Sequence, residues 1–160
     1  MYITYEEYTA LYDPIEEKVF NRIVYDACRA IDKLTTGVDG VKKLKAAFPE
    51  DEDNAAAVKR CAAHVVNLLN QIQEVEKTAA MGRGYTQTAN GLQGKVISSV
   101  SAGNESISFS TGGGKTAIDA AASDPMAKSK LVSGVIREHL SGVTDANGVN
   151  LLFMGVYPRV

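Results

Sequence analysis

The chain has 160 residues, 45% of them apolar and 22% charged, with a formal net charge of −2. That length supports one domain with a real core, and no window approaches the ~20 apolar residues of a membrane span. A net charge of −2 also gives no overall electrostatic footprint for wrapping nucleic acid.

The opening stretch, "MYITYEEYTALYD", is acidic and has neither the basic nor the apolar region of a signal peptide, which points to a cytosolic start. Thr4-Tyr5-Glu6-Glu7 is a capping box, so a short helix is expected from Tyr5 to about Tyr12 with Tyr5, Tyr8, Leu11 and Tyr12 on one face. Asp13-Pro14 closes it and opens a second helix reaching Leu34 or Thr35, with Glu16 and Glu17 at its positive end. Ile15, Val19, Ile23, Ala27 and Ile31 recur every four residues there, widened by Phe20, Val24 and Leu34 into a core-facing band. Gly37 follows as a C-cap, and Val38, Val41, Leu44 and Phe48 mark a short third helix despite Gly40, ending at Pro49.

After the acidic run "EDEDN" comes the longest helical segment, Ala55 to about Ala80. Val58, Cys61, Ala62, Val65, Leu68, Leu69, Ile72 and Val75 form its apolar face. Four glycines in "MGRGYTQTANGLQGK" then mark a hinge or loop. Two strands, Lys95 to Ser101 and Glu105 to Ser110, are expected around Ala102-Gly103-Asn104. A lone hairpin is barely stable in water, so this one must pack on the helices or pair with a neighbouring chain.

"TAIDAAA" suits a turn of helix, and Ser123-Asp124-Pro125 starts a last helix to about Leu140, with Met126, Leu131, Val132, Val135, Ile136 and His139/Leu140 on or beside its buried band. The ending "VNLLFMGVYPRV" is an extended apolar segment too rich in large side chains to hide on one face, which predicts a sticky tail. The fold class is therefore mainly α: a small helical bundle with one long helix, a β-hairpin and an extended C-terminal segment. Within one domain, residues 1–81 form the helical body, 82–114 a glycine-bounded hairpin arm, 115–142 the C-terminal helix and 143–160 the tail.

The string "GGGKT" resembles the end of a phosphate-binding loop, but G-x-x-x-x-G-K-[ST] requires a first glycine at position 109, which is Phe109. Gly112 to Gly114 read instead as a flexible linker, and no phosphate-binding role is expected for Lys115. Cys28 and Cys61 lie among Ala and Val on helical patterns and read as small core residues. Cys61 and His64 share a face at i, i+3, but the remaining His139 and Cys28 form no second close pair of the kind a structural zinc site requires. With no serine elbow, defined His/carboxylate pair or acidic metal cluster, the expectation is a non-enzyme with no catalytic, metal or cofactor residues.

The order of parts, with "YEEYTALYD", "FNRIVYDACRAIDKLTTG", "VSAGNESISFS" and "NLLFMGV", resembles the head completion or head–tail connector (adaptor) proteins of long-tailed bacteriophages and prophages. The resemblance implies a structural virion protein of the neck, assembled in the bacterial host cytoplasm. It implies a homo-oligomeric ring, dodecameric in the virion, beneath the portal protein, extending the DNA channel and docking the next neck or tail completion protein. DNA would pass without specific binding, and no membrane is involved. The hairpin and tail are the expected assembly elements, with Ile107, Phe109, Leu152 and Phe153 as contacts. The alternative is a small helical adaptor or regulatory module that binds a peptide or helix in a groove.

Overall fold

The computed structural model describes residues 1–80, 85–88, 91–94, 96–101, 106–110 and 116–158, with side chains described over 1–78 and 116–158. Six helices appear among them: α1 (Tyr5–Thr9), α2 (Glu17–Thr35), α3 (Lys43–Ala46), α4 (Glu52–Ala80), α5 (Ala117–Ser123) and α6 (Pro125–Leu140). The class is mainly α, as expected. Contacts divide the chain into two units, Met1–Leu69 with Val132–Val160, and Asn70–Leu131.

In the first unit, the Thr4 hydroxyl accepts from the Glu7 amide while the Glu7 carboxylate accepts from the Thr4 amide, so the capping box starts α1 where the sequence placed it. The helix ends at Thr9, earlier than expected, and Leu11 is exposed. Tyr8 is fully buried, its ring 5.4 Å from that of Phe20 and 5.8 Å from that of Tyr12. Tyr5 meets Phe20 edge-on at 5.4 Å and donates to the Ile15 carbonyl at 2.7 Å, tying α1 to the approach to α2. Full burial of such large apolar side chains contributes about 1.5–3 kcal/mol each.

α2 begins at Glu17, three residues after Pro14, with no side-chain cap. Its buried line runs through Phe20, Ile23, Val24, Ala27 and Ile31, while Val19 is half-buried. At its C-terminus the Thr35 and Thr36 hydroxyls donate back to the Ile31 and Asp32 carbonyls at 3.0 and 2.6 Å, satisfying groups that the helix leaves open. The cap is Thr36, in an extended conformation, and not Gly37. The third helix is only Lys43–Ala46 because the chain first turns through Gly40, at φ 78°, and pairs Thr36 with Lys42. Val38 and Phe48 are exposed as a result.

α4 starts earlier than expected, at Glu52. Asp51 caps it: its carboxylate accepts from the Asn54 amide and its carbonyl from the Ala55 amide, each at 2.9 Å. Val58, Cys61, Ala62, Ala63, Val65, Val66, Leu68 and Leu69 are its buried residues in this unit, joined from the end of α6 by Val132, Ile136 and Leu140.

In the second unit, Ile72 of α4 is buried and Lys128 lies 3.5 Å from the Glu76 carboxylate. Thr116 and Asp119 form a second capping box at α5. Pro125 opens α6 as the sequence predicts, but Met126, expected on the buried band, is exposed. The backbone of β1 (Tyr85–Thr88) pairs antiparallel with β2 (Gly91–Gly94), a ladder in a stretch expected to be loop. β3 (Val96–Ser101) pairs antiparallel with β4 (Ser106–Ser110), with Ile97 opposite Phe109 and Val100 opposite Ile107. The two ladders are separate and build no larger sheet among the described residues. The turn expected at Ala102-Gly103-Asn104, the Gly112-Gly113-Gly114 linker and Lys115 lie outside the described residues. No described helix is long and apolar enough to cross a membrane.

Candidate assembly surface

A lysine in a four-residue helix organises the end of the chain. Lys43 is fully buried, and its ammonium donates to the carbonyls of Asn150 at 3.1 Å, Leu151 at 3.0 Å and also Phe153. Three carbonyls match the three donors of an ammonium, so the burial of this charge is compensated. The same ammonium sits 5.6 Å from the centroid of the Phe153 ring. Desolvation pushes the Lys43 pKa down, opposed by the carboxylates of Asp145 and Asp39.

The segment around these carbonyls is folded back on itself. Asp145 is buried; its Oδ1 accepts from the Asn147 and Val149 amides at 2.9 Å each, and its Oδ2 from the Tyr157 hydroxyl at 2.6 Å. Asn147 donates to that hydroxyl at 2.8 Å. Burial, and next the Asp145 carboxylate, push the Tyr157 pKa up, keeping it a donor. The Tyr157 amide donates to Asp39 at 2.9 Å, and Leu151 is fully buried.

Two glycines permit the fit. A Cβ on Gly37 would stand 2.9 Å from the Gly155 carbonyl oxygen, and one on Gly155 would overlap the Phe153 ring. Gly37 is thus a point of close backbone approach, a role its neighbours in sequence do not announce.

The expected extended, sticky tail at 143–160 is therefore corrected: Val143, Leu151 and Tyr157 belong to the core of the first unit. What the clasp leaves outside is a short apolar display, Phe153 at 51% exposure, Met154 at 56% and Val156 at 67%. Val38 is exposed beside the Gly37–Gly155 contact. Of the contacts named from sequence, Phe153 is on this display and Leu152 is half-buried next to it. The side chains of Ile107 and Phe109 lie outside the described residues.

Cys28 and Cys61 are free, and burial pushes the Cys61 thiol up to about 12, far from the thiolate range that makes cysteine reactive. The two histidines come together: His64 Nδ1 and His139 Nε2 are 2.9 Å apart, with rings nearly perpendicular at 87° and Tyr12 6.3 Å from His64. Sequence reasoning missed this pair and the Lys43 clasp. Among the described residues no three His, Cys, Asp or Glu side chains converge as a metal site.

Comparison of the chain with protein-family models, with curated proteins and with solved structures found no match.

Proposed function

We propose that this protein is a structural subunit of a bacteriophage or prophage neck, a head–tail connector that forms a ring beneath the portal, extends the DNA channel and docks the next neck or tail component. The order of its parts supports the reading through the resemblance quoted above. The observation that carries it is the clasp at Lys43: a buried ammonium immobilises the C-terminal backbone while Phe153, Met154 and Val156 are left in solvent. Contiguous exposed apolar side chains on a fixed backbone mark an interaction surface, because their ordering cost is met before binding. In this reading residues 82–114 act as an arm that pairs with a neighbouring subunit, with Ile107 and Phe109 as its contacts and Leu152 and Phe153 as those of the C-terminal segment. DNA passes the ring without specific binding.

A second reading, a helical adaptor that binds a peptide, is favoured by one feature. A groove of about 360 Å³ beside α2 is lined by Tyr2, Val24, Cys28, Asp32 and Lys45, among others. Native mass spectrometry and electron microscopy of the purified chain, alone and with portal rings, test the two. Rings that bind the portal are expected; a monomer at every concentration that ignores the portal overturns the connector.

A further inference from the structure

The solvent crest of α2 is cationic. At 3.6 residues per turn, Lys18, Arg22, Arg29 and Lys33 fall within roughly 60° of one another and span about 22 Å of helix. All four are exposed. Tyr25 shares the crest at 66% exposure, with the Arg29 guanidinium 5.9 Å from its ring centroid. Asp26 flanks it. Exposed Lys42 and Lys45 extend the same surface, lining the adjoining groove with Arg29. The carboxylate beneath them, Asp32, is already engaged, accepting from the Tyr2 hydroxyl and lying 3.3 Å from the Lys45 ammonium.

The opposite charge is concentrated as tightly. Glu50, Asp51, Glu52 and Asp53 are four consecutive acids, all exposed. Asp51 caps α4 and Glu52 and Asp53 open that helix, so three of the four acids stand at its first turn. Both patches stay exposed within one protomer, and a chain of net charge −2 carries no general attraction for polyanions.

We infer that the α2 crest docks the Glu50–Asp53 run of a second copy of this chain. The inference rests on the connector reading, to which it adds the lateral contact: two different patches joined head to tail close into a ring when the rotation permits. Complementary charge fixes register and partner choice in such a contact, and Tyr25 supplies an aromatic anchor among the cations.

Charge reversal tests it. Arg29→Glu with Lys33→Glu reverses the crest, and Glu50→Lys with Glu52→Lys reverses the run while sparing the capping Asp51. Assembly is read by mass photometry and sedimentation at about 0.1 M and about 0.5 M salt, between which the screening length shortens about twofold. Each reversed protein should assemble at least about tenfold more weakly than wild type at low salt, and high salt should weaken the wild type. A mixture of the two reversed proteins should assemble again, because an acidic crest then meets a basic run and a basic crest an acidic run. Arg29→Gln with Lys33→Gln, carrying no new acid, should lie between; unchanged thermal midpoints show that folding is intact. Wild-type rings with reversed crests that assemble equally well would overturn this contact and leave the connector reading standing. A wild type that stays monomeric overturns both. Binding of a short DNA duplex that disappears on crest reversal, without any change in assembly, would reassign the crest to nucleic acid.

Discussion

His64 and His139 stand 75 positions apart in the chain, yet the Nδ1 of one lies 2.9 Å from the Nε2 of the other, so each helix that carries one of them is hydrogen-bonded to the other. A neutral pair satisfies this contact with one ring donating and one accepting. Burial holds the His139 pKa below the usual histidine range, with His64 and Arg60 acting in the same direction and Glu138 against them. The folded protein therefore resists the proton that the unfolded chain takes up near pH 6.5.

The sign of the pH effect follows. The contribution of His139 is fully present above the unfolded pKa and is lost as pH falls through the lower folded value. Denaturant midpoints measured from about pH 7.5 to about pH 5.5 should fall on acidification, and His139→Phe should flatten that dependence. A wild-type midpoint that does not move across this window would show that the pair is indifferent to protonation.

The Lys43 clasp makes a second expectation. In Lys43→Met the stem volume is kept, but the carbonyls of Asn150, Leu151 and Phe153 lose their donor. Leaving buried acceptors unsatisfied costs about 1–3 kcal/mol for a group of this kind. Hydrogen exchange should accelerate across 150–157 more than along α4. If protection there is unchanged in the variant, the ammonium does not hold the segment.

Phe20 and Val19 are adjacent and differ in depth. Phe20 is fully buried against Tyr5 and Tyr8, whereas Val19 is half-buried. Phe20→Ala should cost about 3–5 kcal/mol, and Leu68→Ala in α4 about 2–5 kcal/mol. Val19→Ala should cost well under either. Equal losses at positions 19 and 20 would mean that the buried line of α2 is misassigned.

These contrasts show which features were legible. The Thr4–Glu7 capping box, the proline start of α6 and the long apolar face of α4 were readable because each depends on residues within one or two turns, and the second box, Thr116 with Asp119, was as local but was passed over. Gly40 delayed the start of the expected third helix to Lys43 because its positive φ turns the chain back, a local signal that the surrounding apolar spacing outweighed on paper. Lys43 and the histidine pair were not legible. A lysine ordinarily points to solvent, and its three acceptors lie more than 100 residues away, so nothing in its neighbourhood distinguishes it. The tail was read as an extended, sticky segment because its apolar count exceeded one face; Leu151 and Tyr157 go inward, while Phe153, Met154 and Val156 go outward.

The two close-packed glycines should respond differently to an added methyl. At Gly37 the new Cβ meets the Gly155 carbonyl oxygen at 2.9 Å, so backbone must move, and overpacking of this type costs about 1–3 kcal/mol. At Gly155 it meets the outer atoms of the half-exposed Phe153 ring, which can swing aside. Gly37→Ala should therefore lower the thermal midpoint by several degrees, and Gly155→Ala by much less. The reverse order would place the strain in the ring contact.

The display itself is tested by side-chain changes that keep the backbone carbonyls bound by Lys43 and give up only the contact of its ammonium with the Phe153 ring. Deleting the segment from Asn150 onward would remove Leu151 and Tyr157 from the core and the partners of Lys43 and Asp145, so loss of assembly in that truncation would report on folding. Phe153→Ser, Met154→Ser and Val156→Ser together change side chains that are each more than half exposed. Surface substitutions of this kind usually stay within about 0.5 kcal/mol apiece, so the thermal midpoint should hold nearly constant. If these side chains are contacts in the neck, the triple variant should fold, fail to join portal-bound particles, and leave tails unattached in a complementation assay. Wild-type levels of joining by the folded triple variant would remove the C-terminal display from the interface and return the search for the docking surface to the arm at 82–114.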